Sequence, residues 1–162
     1  MERLWSPWRH EYISQATTPK SNPSACIFCD AQRSPNDEQS LVVHRGTFNF
    51  VILNRYPYIS GHLMIAPYDH LAELDLAPKE TTDELMDLAK RCQTALRNAY
   101  HPEGFNVGMN LGRVAGAGVA DHFHLHMMPR WGGDTNFMTT VGETRVLPED
   151  LNTTYQKLRD KI

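Results

Sequence analysis

The chain contains no apolar run approaching the roughly 18 residues that a membrane helix needs, so no helical span of a bilayer is expected. Its first residues, Met1-Glu2-Arg3-Leu4-Trp5-Ser6-Pro7-Trp8-Arg9, carry no apolar signal core, and a cytoplasmic protein is expected. Basic residues are not in surplus. Sixteen Lys and Arg against 19 Asp and Glu give a net charge of −3, which argues against the broad basic face that nucleic acid requires. Repeats, low-complexity tracts and long linkers are also missing, and 162 residues suit one domain with its own core. Cysteine is scarce, at three residues, which cannot all pair. Cys92 falls in a helical pattern as an apolar-stripe residue. Cys26 and Cys29 form a Cys-x-x-Cys, a spacing that in a reducing compartment suggests metal or redox chemistry before a disulfide. Histidine, by contrast, is abundant: there are eight, three of them within five residues.

Prolines at positions 7, 19, 23 and 35 break up residues 1–40, which read as an irregular arm carrying the cysteine pair. Strands are expected at 41–44, 48–53 and 62–66, with turn chemistry at Asn54-Arg55-Tyr56-Pro57-Tyr58 and Gly61. A helix follows Pro78. Thr81 and Glu84 have capping-box spacing, and Leu85, Leu88, Cys92, Ala95, Leu96 and Ala99 recur on one face. A fourth strand at 105–110, a glycine-rich loop at 112–118, a fifth strand at 122–129 and a short helix from about Pro148 complete the pattern. Strands, then a helix, then strands predict an α+β fold: an antiparallel sheet of about five strands, one long helix and a short C-terminal helix.

The segment His122-Phe123-His124-Leu125-His126-Met127 alternates, so a strand places the three histidines on one face, about 7 Å apart, and the apolar residues on the other. Three imidazoles in a row offer a nucleophile, proton donors and metal ligands near neutral pH. One alternative is a polar strand face without chemistry. Another is a catalytic metal held by all three, although a third ligand two residues further along a strand usually points past the ion. The remaining reading is a histidine nucleophile acting on phosphorus. The loop Ala115-Gly116-Ala117-Gly118-Val119 is not a Walker loop, because no Lys-Ser or Lys-Thr follows it.

His-apolar-His-apolar-His-apolar-apolar, matched by residues 122–128, resembles the signature of the histidine-triad superfamily. The stretch Phe50-Val51-Ile52-Leu53-Asn54-Arg55-Tyr56-Pro57 through Gly61-His62-Leu63 is similar to that family's ribose-binding turn and following strand. Gly104-Phe105-Asn106-Val107-Gly108-Met109-Asn110-Leu111-Gly112, Pro129-Arg130-Trp131-Gly132-Gly133-Asp134 and the opening Arg3-to-Arg9 segment resemble its diadenosine-tetraphosphate phosphorylase branch. The match covers nearly the whole chain as a single domain over 1–162.

The resemblance implies nucleotidyl transfer through a nucleotidyl-histidine intermediate, with His124 as nucleophile and His126 orienting the site and binding phosphate oxygen. Inorganic phosphate as acceptor gives phosphorolysis of diadenosine tetraphosphate to ADP and ATP. The alternatives are hydrolysis of dinucleoside polyphosphates or nucleoside phosphoramidates, and a nucleotide-binding sensor with little turnover. Asn54 matches the ribose contact, with a turn role as its alternative, and His62 a residue supporting the triad, with a packed strand histidine as its alternative. Asn110 and the amides of Gly116, Ala117 and Gly118 are expected to bind phosphate, the loop having no hydroxyl or amide side chain of its own. Trp131 is expected to stack on a nucleobase or to pack structurally. Cys26, Cys29, His70 and His122 match a structural zinc site, with buried free thiols as the alternative. His122 thus falls both in the catalytic triad and among the metal ligands. A homodimer is implied as well, and His10, His44 and His101 are given no role.

Overall fold

The structure, a computed structural model, describes residues 26–142, 144 and 146–162. The Arg3-to-Arg9 segment and His10 lie outside them. Five strands, β1 (Val42–Arg45), β2 (Asn49–Leu53), β3 (Leu63–Pro67), β4 (Gly104–Met109) and β5 (Leu125–Arg130), form one sheet in the order β1-β2-β3-β5-β4, every neighbouring pair antiparallel. The helices are α1 (Ile27–Arg33), α2 (Asp37–Ser40), α3 (Lys79–Tyr100), α4 (Phe137–Thr140) and α5 (Leu151–Leu158). The α+β architecture expected from the sequence is therefore present, including the long helix and the short C-terminal one. Among the described residues no helix is long and apolar enough to cross a membrane.

The neighbouring inner strands β2 and β3 are buried at every position, so the sheet is covered on both faces there. Their residues divide by alternation. Val51, Leu53, Leu63 and Ile65 join Leu85, Leu88, Cys92 and Leu96 of α3, together with Tyr155 and Leu158 of α5, in the larger core. Phe50, Ile52, Met64 and Ala66 face the other way and pack with Cys26, Phe28, Cys29 and Ala31. Cys92 is fully buried and burial pushes its thiol up to about 12, as a packed core residue requires.

Three details depart from expectation. The arm is not irregular where it is described, because Cys29 lies within α1 and a second helical turn follows at α2. Tertiary cover decides this, since the segment has a sheet face to bury and no periodic signal long enough to announce it. The fifth strand begins at Leu125 rather than at 122. β3 pairs with β5 only over Leu63–Met127, Met64–His126 and Ile65–Leu125, while the Phe123 N–H donates to the Leu71 carbonyl at 2.7 Å. The alternation of faces still extends upstream, for Phe123, Leu125 and Met127 all enter the larger core.

Thr81 and Glu84 do not form a capping box. The residue preceding α3 is Pro78, which has no side-chain cap, and Thr81 is buried inside the helix. Glu84 turns instead to the β1–β2 turn, where its carboxylate accepts the N–H groups of Thr47, Phe48 and Asn49 at 2.6–2.8 Å, and the Asn49 Nδ2 at 2.9 Å. These donors hold the carboxyl below its usual value against the opposing effect of burial. Glu84→Ala leaves three backbone donors without this acceptor, and a loss of roughly 1–3 kcal/mol is expected in urea unfolding. An unchanged unfolding midpoint counts against this anchor.

Candidate active site and metal cluster

His122, His124 and His126 reach the sheet face opposite α3, and each is fixed by a different partner. His122 is fully buried and its Nε2–H donates to the Pro67 carbonyl at 2.9 Å, because a proline carbonyl can only accept. Nδ1 is thereby left with its lone pair, facing Cys26 Sγ at 3.3 Å and Cys29 Sγ at 3.7 Å. His70 Nδ1 stands 3.3 Å from Cys29 Sγ. The four donor atoms lie within 4.8 Å of one another, with His70 exposed and the other three residues buried.

A tetrahedral ion with sulfur at about 2.3 Å and nitrogen at about 2.0 Å spaces S and N about 3.5 Å apart. The donor set therefore fits a closed tetrahedral metal site. The fit is chemical as well, since the His122 tautomer presents a lone pair and its backbone partner is the kind of outer-shell bond that orients a ligand. Cys26, Cys29, His70 and His122, named together from the sequence, are brought together here.

His124 is 4% exposed, and its Nδ1–H donates to the His122 carbonyl at 3.0 Å. Its Nε2 consequently carries the lone pair. Burial lowers the pKa of this ring, with the bond to His122 opposing, so it is neutral at pH 7. His126 crosses His124 edge-on, with ring centroids 4.7 Å apart, closer than the spacing along the strand.

The tautomer of His126 is set by a relay. The Tyr58 N–H donates to His62 Nδ1 at 3.2 Å, so His62 carries its proton on Nε2, which lies 2.9 Å from His126 Nδ1. His126 then keeps its own proton on Nε2 as a donor. His62 is held down to about 3 and His126 to about 4, in both cases by burial first and by neighbouring imidazoles second.

Asn54 is drawn into the same network. Its Oδ1 accepts the Tyr56 N–H at 2.9 Å in a side-chain-closed turn, and its Nδ2 lies 3.4 Å from His62 Nδ1. Asn110 follows Met109, which pairs with Leu125, and its Nδ2 lies 3.5 Å from the Gly116 carbonyl, so it links the strands to the glycine loop. Gly116 has φ +94, a left-handed conformation suited to glycine. The Gly116 and Ala117 N–H groups are engaged within the loop, donating to the Arg113 and Gly112 carbonyls at 3.0 and 3.3 Å. Gly118 adjoins them in the exposed loop.

Trp131 lies just past the end of β5. It follows His126 by five residues, about 17 Å of extended chain, and meets the Tyr100 ring edge-on at 6.5 Å. It is half-buried, and this ring contact ties it to the end of α3. Sequence reasoning overlooked Phe28, whose ring lies 5.1 Å from His122 and 4.7 Å from His124. Its place between the two cysteines was the available signal.

The sequence profile of the HIT domain matches residues 36–133. The chain belongs to the HIT family. Among the relatives of this HIT protein is the AP-4-A phosphorylase of Mycobacterium tuberculosis, 40% identical over 98% of this chain and 83% of the relative. The adenosine 5'-monophosphoramidase of Saccharomyces cerevisiae is 31% identical over 72% of this chain and 70% of that one. Among solved structures, a Zn-bound histidine triad family protein from Mycobacterium smegmatis superposes with a TM-score of 0.66 at 28% identity, covering 83% of this HIT chain and 91% of its own.

The depressed histidines predict how stability follows pH. His62 and His126 are neutral in the folded protein down to about pH 3 and 4, but regain a pKa near 6.5 on unfolding. Between pH 6.5 and 4 the unfolded chain binds protons that the folded chain refuses, so their contribution is complete above 6.5 and lost on acidification. The urea midpoint of the protein is expected to fall across that window, with a shallower slope in His62→Gln. Equal slopes in the two proteins refute the assignment to His62.

Proposed function

We propose that this HIT protein is a nucleotidyl transferase that cleaves diadenosine tetraphosphate by phosphorolysis to ADP and ATP. The observation that carries the reading is the bond from His124 Nδ1–H to the His122 carbonyl, which leaves Nε2 as a neutral, aligned nucleophile. The likeness to the phosphorylase over 98% of the chain supports the substrate class and the acceptor.

In the first step His124 Nε2 forms a bond to the α-phosphorus as the bond to the bridging oxygen breaks and ATP departs. The imidazole, now carrying AMP, gains positive character that the His122 carbonyl stabilises through the Nδ1–H. A phosphate oxygen then attacks the same phosphorus, the P–N bond breaks, and ADP leaves with His124 restored to its neutral form. Splitting the transfer in this way makes each step easier than direct displacement.

The Nε2–H of His126 serves as a donor to the phosphate oxygens, a preorganised contact of the kind that matters most where charge develops. Asn110 and the Gly118 amide complete the phosphate contacts, and Asn54 holds ribose. The engaged amides of Gly116 and Ala117 leave these other donors the larger part. Hydrolysis is the alternative, favoured by the likeness to the phosphoramidase. It differs only in placing water where phosphate would attack.

The metal is zinc in this reading, held by Cys26, Cys29, His70 and His122, and when bound it supplies a structural cross-link without an open position. His122 then shuttles no proton and acts through its carbonyl. The chain works as one domain, as a homodimer, in the cytoplasm. Support for the dimer comes from β4, an edge strand with Asn106, Val107 and Gly108 exposed.

Diadenosine tetraphosphate incubated with phosphate is expected to yield ADP and ATP in equal amounts, and His124→Ala to lose at least about 10⁴-fold in kcat while still binding nucleotide. AMP formed without any phosphate requirement overturns the phosphorylase reading in favour of the hydrolase. Nucleotide binding without turnover in the unaltered protein favours the sensor instead.

Native mass spectrometry is expected to show two chains with one zinc each, and no zinc in Cys26→Ser. Zinc undiminished in that variant refutes the ligand set, and a single-chain species refutes the dimer.

A further inference from the structure

Phe28 is fully buried, and its position is unusual for a core aromatic. It stands between Cys26 and Cys29 in sequence, in the first turn of α1, and its ring contacts His122 and His124 at 5.1 and 4.7 Å with interplanar angles of 52° and 41°. His124 therefore has two ring neighbours at 4.7 Å, Phe28 tilted against it and His126 edge-on. The bond from Nδ1 to the His122 carbonyl fixes one atom of the imidazole. Because a hydrogen bond tolerates a range of angles, the ring can still librate about Cβ–Cγ, and packing limits that motion.

The rest of the Phe28 environment explains its rigidity. Phe50, Ile52, Met64 and Ala66 of the sheet close around α1. The cysteines on either side of Phe28 lie at 3.3 Å from His122 and His70 respectively. The aromatic ring is thus held at both ends of a short segment and cannot retreat from His124 without moving the cysteine–histidine cluster.

We propose that Phe28 is a positioning residue for His124: its ring acts as a stop that holds the imidazole in the orientation and tautomer needed for in-line attack by Nε2. The proposal rests on His124 being the nucleophile. Reaction rates are sensitive to such placement, an error of about 1 Å being worth about 10²-fold.

The test compares the zinc-loaded protein with Phe28→Ala and Phe28→Leu, using diadenosine tetraphosphate and phosphate as substrates and nitrogen NMR of the imidazoles. Phe28→Ala is expected to keep its zinc and to lose about 10²-fold in kcat with KM within about threefold. Its His124 signal is expected to change from a single Nδ1–H tautomer to a mixture. Phe28→Leu, which retains much of the volume, is expected to recover most of kcat. A wild-type kcat, or a single unchanged tautomer, in Phe28→Ala overturns the proposal. If the alanine variant does not fold, the leucine variant decides by the same two readouts, a partial loss with a mixed tautomer supporting the proposal and wild-type behaviour ending it. If His124→Ala proves fully active, the nucleophile reading has failed, and the tautomer measurement still decides whether Phe28 orients the ring.

Discussion

The constraint on which the molecule depends is that β2 and β3 must be buried on both faces, while the cover available for one of those faces is a helix of seven residues. The other face has α3, 22 residues long, which carries a full apolar stripe. A seven-residue helix has no stability of its own in water. Its persistence comes from outside it: Phe28 and Ala31 packed on the sheet, and two cysteines gathered with two histidines at its start. Packing at that point substitutes for helix length. This joins the fold to the chemistry, because the same gathering fixes the backbone of His122, whose carbonyl orients the next histidine.

Each histidine of the row has one nitrogen held by a hydrogen bond that sets its tautomer. Pro67 takes the Nε2–H of His122, His122 takes the Nδ1–H of His124, and His62 directs the tautomer of His126. The three rings therefore differ in role although they repeat in sequence: a lone pair toward the cysteines, a lone pair with a proton held behind it, and a donor. Burial keeps them uncharged, so these roles depend on which nitrogen holds the proton and not on protonation state.

Much of this was legible in the sequence, for identifiable reasons. Alternation in residues 122–127 sorted histidines from core residues correctly even though the ladder itself starts only at Leu125, because extended backbone alternates with or without a partner strand. The stripe on α3 was readable since a helix of six turns repeats its pattern several times. Short elements left no such repetition, and α1 went unread. Thr81 and Glu84 had the right spacing for a cap, but spacing is local, whereas the donors that claimed Glu84 lie 35 to 37 residues earlier.

The Glu84 anchor also bears on how the protein assembles. A self-contained two-residue turn at 47–48 would pair the Gly46 carbonyl with the Asn49 N–H. Here Asn49 donates to Glu84 and the Gly46 carbonyl accepts from the Tyr68 hydroxyl, while only the Gly46 N–H to Asn49 carbonyl bond at 2.8 Å remains local. The β1–β2 hairpin is thus local in its contour but non-local in its closure, and loop entropy must be overcome before its turn is satisfied. Exchange protection at the Thr47, Phe48 and Asn49 amides consequently gauges the docking of α3, and these turn amides become a reporter of the long helix rather than of the strands they join.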